Sequence, residues 1–121
     1  MPSSQKLIGI GVDSVSWARI ERFLNDHSTE FAERILSRSE RKSFRTTSRR
    51  LRFFTRSLVA KEAYFKASGG FWMRGEAGFR EIEIRIKGER FRVRAPHSKV
   101  DGHFFETPNG MGARAMIWAS R

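Results

Sequence analysis

Residues Phe53–Gly70, "FFTRSLVAKEAYFKASGG", decide how this chain is read. Leu51, Phe54, Leu58 and Phe65 recur at spacings of three, four and seven. That is the period of one face of an α-helix, and it predicts the longest helix of the chain, starting near Arg49. Gly69 and Gly70 supply its C-terminal stop. One residue breaks the stripe: Glu62 stands four residues after Leu58, where the helix should face apolar neighbours. Two readings are open. Glu62 pairs with Lys66, four residues on in the favourable order, or it is a metal ligand or general base, because an inward carboxylate must be neutralised by something.

Working outward towards the N-terminus, "LIGIGV" at Leu7–Val12 reads as a strand, with two glycines where backbone or ligand comes close. Asp13 ends it. Trp17, Ile20 and Leu24 then predict a first helix from about Ser16 to Asn25, capped by Ser14 or Ser16. A short second helix covers "EFAERIL", with Phe31, Ala32, Ile35 and Leu36 on one side. Ser37 followed by Glu40 is a capping box that opens a third helix. Alone, Asp13 reads as a cap or turn residue. Taken with Glu62, it completes a pair of carboxylates of the kind a hard cation such as Mg²⁺ takes together with phosphate oxygens.

Beyond the long helix, "EIEIRIKGERFRVRA" alternates apolar and polar residues across a turn at Lys87–Arg90 and reads as a β-hairpin. "PHSKVDGHFFETPNG" reads as a long connection. "ARAMIWA" reads as a closing strand, with a helix left open by its alanines and methionine.

With 121 residues the expected organisation is one domain over 1–121, and 39% hydrophobic residues with 11 Phe and 3 Trp suffice for a real core. The absence of cysteine excludes disulfides, a thiol nucleophile and Cys-ligated zinc. The apolar run near the start is too short for a signal peptide or a spanning helix, so the expectation is a cytoplasmic protein without a membrane partner.

A formal charge of +11 calls for an acidic partner. Nucleic acid, an acidic protein, a polyphosphate cofactor and an anionic membrane surface all satisfy that electrostatics. Arg45, Arg49, Arg50, Arg52 and Arg56 form either a solvated face or a phosphate-binding one. The neighbouring Phe44, Phe53 and Phe54 have helical spacing and belong to a core rather than to base stacking. His27, His97 and His103 have no metal-ligand spacing and fall in expected loops. Neither "GIGVD" nor "ASGGF" completes a nucleotide-binding motif.

The order "GIGVDSVSWARI", "FAERILSRSE" and "FFTRSLVAKEAYFKASGG" resembles the single-domain 4'-phosphopantetheinyl transferases, the holo-acyl-carrier-protein synthases, over about Ile8–Gly70, and more loosely through the hairpin. The resemblance implies an α+β fold, a small antiparallel sheet packed on a long helix, and a homotrimer with active sites shared between neighbours. It implies Mg²⁺, with Mn²⁺ fitting the same ligands, on Asp13 and Glu62. It implies coenzyme A as co-substrate, held by Arg49, Lys61 and Lys66, with Arg49 near the 3'-phosphate. The serine of an acidic acyl carrier protein would attack the β-phosphate, deprotonated with help from Glu62 or a water on the metal. Glu62 and Lys66 would thus be the catalytic pair, and Arg19 would contact the carrier. The reaction would belong to lipid metabolism, in fatty acid biosynthesis or with a specialised carrier, and the +11 would need no nucleic acid.

The chain also departs from that pattern. The family's C-terminal Ser-x-Ser-His is replaced by a stretch containing Thr107 and Pro108, its Gly-Lys-Pro hairpin turn by Gly88–Arg90, and a helix arginine by Ser57. Two other classes therefore stay open: a paralogue that binds coenzyme A or an acidic carrier without transfer, and a basic nucleic-acid-binding domain.

Overall fold

The structure is a computed structural model that describes residues 5–26, 29–69, 75–94 and 99–120. In chain order the elements are β1 (Gln5–Ser16), α1 (Trp17–Asp26), α2 (Thr29–Glu33), α3 (Arg38–Thr46), α4 (Arg50–Ala67), α5 (Gly75–Glu81), β2 (Glu83–Lys87), β3 (Arg90–Arg94), β4 (Lys99–Thr107) and β5 (Gly110–Ser120). The strands form one antiparallel sheet in the order β1-β5-β4-β3-β2. The fold is α+β, as the resemblance implied.

Five local readings hold. Helix α1 begins at Trp17, with the Ser16 hydroxyl accepting from the Arg19 amide. The capping box of α3 is complete, with Ser37 and Glu40 each bonding the other's backbone amide. Helix α4 ends at Ala67 and the chain turns at Gly69 with φ 75°, a left-handed conformation that glycine adopts without steric cost. Gly70 lies outside the described residues. The hairpin β2–β3 turns through Gly88, and the closing segment is a strand.

Other readings are corrected. Asp13 does not end β1, which continues to Ser16, in continuous register with β5 from Gly9 onward. The supposed connection holds β4, paired on both sides, because Val100, Gly102 and Phe104 alternate inward from Asp101, His103 and Phe105. His103 therefore sits on a strand rather than in a loop, while His27 and His97 lie outside the described residues. Helix α2 stops at Glu33, short of Leu36. Helix α5 had no counterpart in the sequence reading.

Helix α4 is not amphipathic along the expected stripe. Val59, Ala60, Ala63 and Tyr64 pack on the sheet with Ile84, Phe91, Val93, Ile117 and their neighbours. Phe54 instead packs with Ile20, Ala32, Leu36 and Phe44 under α1 and α3. The helix is wedged between two cores, so it is apolar on two sides, and the half-buried Leu51, Leu58 and Phe65 lie between full burial and solvent.

The two glycines of "GIGV" explain how closely α4 meets the sheet. A Cβ on Gly9 would stand 2.2 Å from the Ala67 carbonyl oxygen, and one on Gly11 would stand 2.1 Å from that of Ala63. The close approach is therefore that of backbone, not ligand. On the opposite side of the sheet, Ile8, Ile10, Val12 and Phe105 are 39–56% exposed. No helix among the described residues is long and apolar enough to cross a membrane.

Candidate metal and phosphate site

The glycine contacts set the register of the site. Residues 9, 11 and 13 of β1 point to one face, about 7 Å apart in steps of two. Gly9 meets Ala67 and Gly11 meets Ala63, four residues or about 6 Å of helix apart. The next inward residue, Asp13, therefore reaches α4 beside the turn that carries Glu62. The two carboxyl groups are hydrogen-bonded to each other. Lys66, one turn further along α4, donates to Asp13 Oδ1 at 3.0 Å. The predicted Glu62–Lys66 ion pair is thus not the one made, since the lysine rests on Asp13 instead.

Electrostatics separates the two acids. Burial, the Asp13 hydrogen bond and the Asp13 charge push the Glu62 carboxyl up to about 7. Burial also works to raise Asp13, but hydrogen bonds from Glu62 and Lys66 outweigh it, and its carboxyl falls below the usual 3.8. One carboxylate and one carboxyl sharing a proton near neutral pH is an arrangement that a cation relieves. Among the described residues no group of three or more His, Cys, Asp or Glu side chains surrounds a common point. A cation here would complete its shell with water and ligand oxygens, the habit of Mg²⁺ at phosphates. The residues present fit such an ion.

A cleft of about 230 Å³ opens over the pair, walled by Ile20, Phe23, Ile35 and Leu58, with Arg19 at its edge. Phe23 is held there by stacking on Phe54, with ring centroids 5.9 Å apart and planes 9° from parallel. These apolar walls were missed in the sequence, because each residue reads locally as ordinary helix core. Arg19 is exposed and contributes to holding Glu62 down in pKa, against the larger upward effects. A larger cavity of about 550 Å³ lies on the uncovered sheet face beside Arg85, Lys87, Arg90 and Arg92, apart from the acidic pair.

Two expected coenzyme contacts are placed elsewhere. Lys61 is corrected outright. Its side chain is 0% exposed, and its ammonium lies 2.7 Å from Glu40 Oε1 while donating to the carbonyls of Ile35 at 2.8 Å and Phe79 at 2.6 Å. A lysine with three buried partners has no donor left for a phosphate. Glu40 was read only as a local cap, yet it also accepts from the Ile84 amide at 2.5 Å. Nothing in the local sequence marks that long-range contact. Arg49 is exposed at the N-cap of α4, thirteen residues or roughly 20 Å of helix before Glu62, so the chain does not bring it to the pair. Ser57, where the resemblance has an arginine, is fully buried with its hydroxyl unpartnered. Arg56, one residue earlier, is engaged elsewhere: its guanidinium lies over the Phe104 ring at 4.3 Å and donates to the Gly88 carbonyl of the hairpin turn.

Comparison with known proteins places this geometry. The family model described as the 4'-phosphopantetheinyl transferase superfamily matches residues 9–108. The chain belongs to that superfamily. The holo-[acyl-carrier-protein] synthase of Azoarcus sp. strain BH72 is 48% identical over 61 residues, covering 50% of this chain and 49% of the relative. That of Bacillus cereus strain Q1 is 40% identical over 81 residues, 65% of this chain and 66% of the relative. The chain thus spans about half the length of the first curated relatives it matches. Among solved structures, the Neisseria meningitidis holo-[acyl-carrier-protein] synthase superposes with a TM-score of 0.75 at 26% identity, covering 96% of this chain and 100% of that one. The Bacillus anthracis synthase, in complex with CoA (3',5'-ADP), gives 0.77 at 29% identity, over 94% and 98% of the two chains. Within the superfamily, Asp13, Glu62 and the cleft above them fall inside the matched stretch.

Proposed function

We propose that this chain transfers 4'-phosphopantetheine from coenzyme A to a serine of an acidic apo acyl carrier protein, with Mg²⁺ held by Asp13 and Glu62. The observation that carries the reading is the hydrogen-bonded Asp13–Glu62 pair with Lys66 upon it, under a cleft, in a chain whose relatives are named holo-[acyl-carrier-protein] synthases. The bound cation, Mg²⁺ or Mn²⁺, would supply positive charge to the coenzyme diphosphate.

The chain's own residues would do the rest. Glu62, facing the cleft, takes the proton of the carrier serine hydroxyl. The serine oxygen forms its bond to the β-phosphorus as the bond from that phosphorus to the bridging oxygen breaks. The bridging oxygen leaves with adenosine 3',5'-bisphosphate. Lys66 holds its charge against the phosphate oxygens, where charge builds during transfer. Arg19, at the cleft edge and exposed, meets the acidic carrier and steers its approach.

Arg49 is too far along α4 to serve the cleft of its own chain, and its role at a coenzyme 3'-phosphate belongs to a neighbouring copy in a homotrimer. The exposed apolar residues Ile8, Ile10 and Val12 on the uncovered sheet face favour such an assembly.

The test is mass spectrometry of an apo acyl carrier protein incubated with this protein, coenzyme A and Mg²⁺. A gain of one phosphopantetheine is expected, lost with EDTA and lost in Glu62→Gln and Asp13→Asn. No gain from several carriers overturns the reading, and coenzyme binding without turnover would then identify a binding paralogue.

A further inference from the structure

Lys66 is the one cation in direct contact with the acidic pair among the described residues. Its ammonium sits 3.0 Å from Asp13 Oδ1, while the Asp13 side chain is only 15% exposed. On its other side Asp13 is hydrogen-bonded to Glu62. The lysine itself is 54% exposed, so its stem is free to swing outward from the last turn of α4. A divalent ion shared by Asp13 and Glu62 would place two positive charges beside the carboxylate on which the ammonium rests. Two positive charges closing on one carboxylate repel each other, and that repulsion drives the ammonium off Asp13 Oδ1 as the ion arrives.

We infer that Lys66 is the resident counter-ion of Asp13 in the metal-free protein, and that a divalent cation binds only by displacing it. The inference rests on the reading of Asp13 and Glu62 as a metal site. Lys66 then has two positions. In the first it holds the acidic pair together and lowers the affinity of the site for metal. In the second, available once the cation has arrived, its ammonium is released towards the cleft for an anionic ligand. The site is thereby kept from presenting an unpaired carboxylate when empty, and its phosphate-binding lysine is set free by the same event that loads the metal.

The experiment titrates the full chain with Mn²⁺ alone, following the free ion by electron paramagnetic resonance at pH 8 and constant ionic strength. At that pH both carboxylates are mainly ionised. Lys66→Gln should bind Mn²⁺ about fivefold more tightly than the unaltered chain, the size expected for releasing one partly exposed ion pair. Lys66→Arg, which can remake the contact with Asp13, should return the affinity to near its starting value. Arg19→Gln removes a charge from the cleft edge that makes no contact with Asp13, and should change the affinity by at most about twofold.

Unchanged or weaker binding in Lys66→Gln overturns the inference. So does an equal gain in Arg19→Gln, which would show a general field rather than a displaced counter-ion. Glu62→Gln separates this failure from that of the metal reading. If Mn²⁺ binds with the same affinity in Glu62→Gln, or binds no variant, the metal site itself falls and the inference falls with it.

Discussion

Glu62 carries an electrostatic cost that the proposed chemistry of the site would explain. Its carboxyl keeps a proton up to about pH 7 in the folded chain, against an ordinary 4.5. Between those values the folded chain binds more protons than the unfolded one, so stability of the metal-free protein falls as pH rises through that window. The group is partly open to solvent, and after allowance for screening the loss is on the order of 1–2 kcal/mol. Glu62→Gln removes it. In urea unfolding with a chelator present, the variant should exceed the unaltered protein by about that amount at pH 8 and match it near pH 4.5. Equal stability at both values would mean that the carboxyl pair is not under strain. A residue that stabilises the fold when neutralised, and whose neutralisation is expected to abolish transfer, is one kept for chemistry.

At the scale of elements, Lys61 ties together what the strands and helices only bring near. Through Glu40 and two carbonyls it joins the N-terminus of α3, the chain before it at Ile35, the end of α5 at Phe79 and the edge strand β2 at Ile84. Ile35 is also a wall of the cleft. Burial pushes the Lys61 ammonium down in pKa, and the Glu40 charge and hydrogen bond oppose that shift. Lys61→Met leaves Glu40 buried and unpaired, and should cost about 3–5 kcal/mol in urea unfolding. Replacing Glu40 by Met as well should recover only part of that loss: both desolvated charges are gone, but the Ser37 and Ile84 amides and the Ile35 and Phe79 carbonyls lose their partners. A single variant with unchanged stability would remove Lys61 from its structural role and reopen its reading as a coenzyme ligand.

For the whole molecule, the separation of Arg49 from Glu62 has a direct consequence. If active sites are shared between copies, chains carrying Arg49→Ala and chains carrying Glu62→Gln should each lack transfer alone. Mixed after dissociation and reassociation, they should recover activity, because some interfaces pair an intact Arg49 with an intact Glu62. Light scattering should report three times the chain mass for each variant. Recovery absent from a verified mixed trimer would place Arg49 outside the site. A net charge of +11 concentrated in arginine fits an acidic carrier met at many points, with an on-rate that falls as salt rises.

The sequence by itself determined the helices α1, α3 and α4, the capping box, the β2–β3 hairpin, and the oddity of a carboxylate at position 62. Each is a local matter of period, cap or turn, written in neighbouring residues. It also carried the resemblance that named Asp13 and Glu62 together. Only the tertiary structure decided that the two acids come together across β1 and α4 and that Lys66 rests on Asp13 rather than on Glu62. It likewise decided that Lys61 is a buried tie and that "PHSKVDGHFFETPNG" contains a central strand. A strand takes its hydrogen bonds from partners distant in sequence, and a buried ion pair takes its stability from the removal of water by other elements. Neither has a signature within one turn of chain, so both become visible only once the sheet closes on α4.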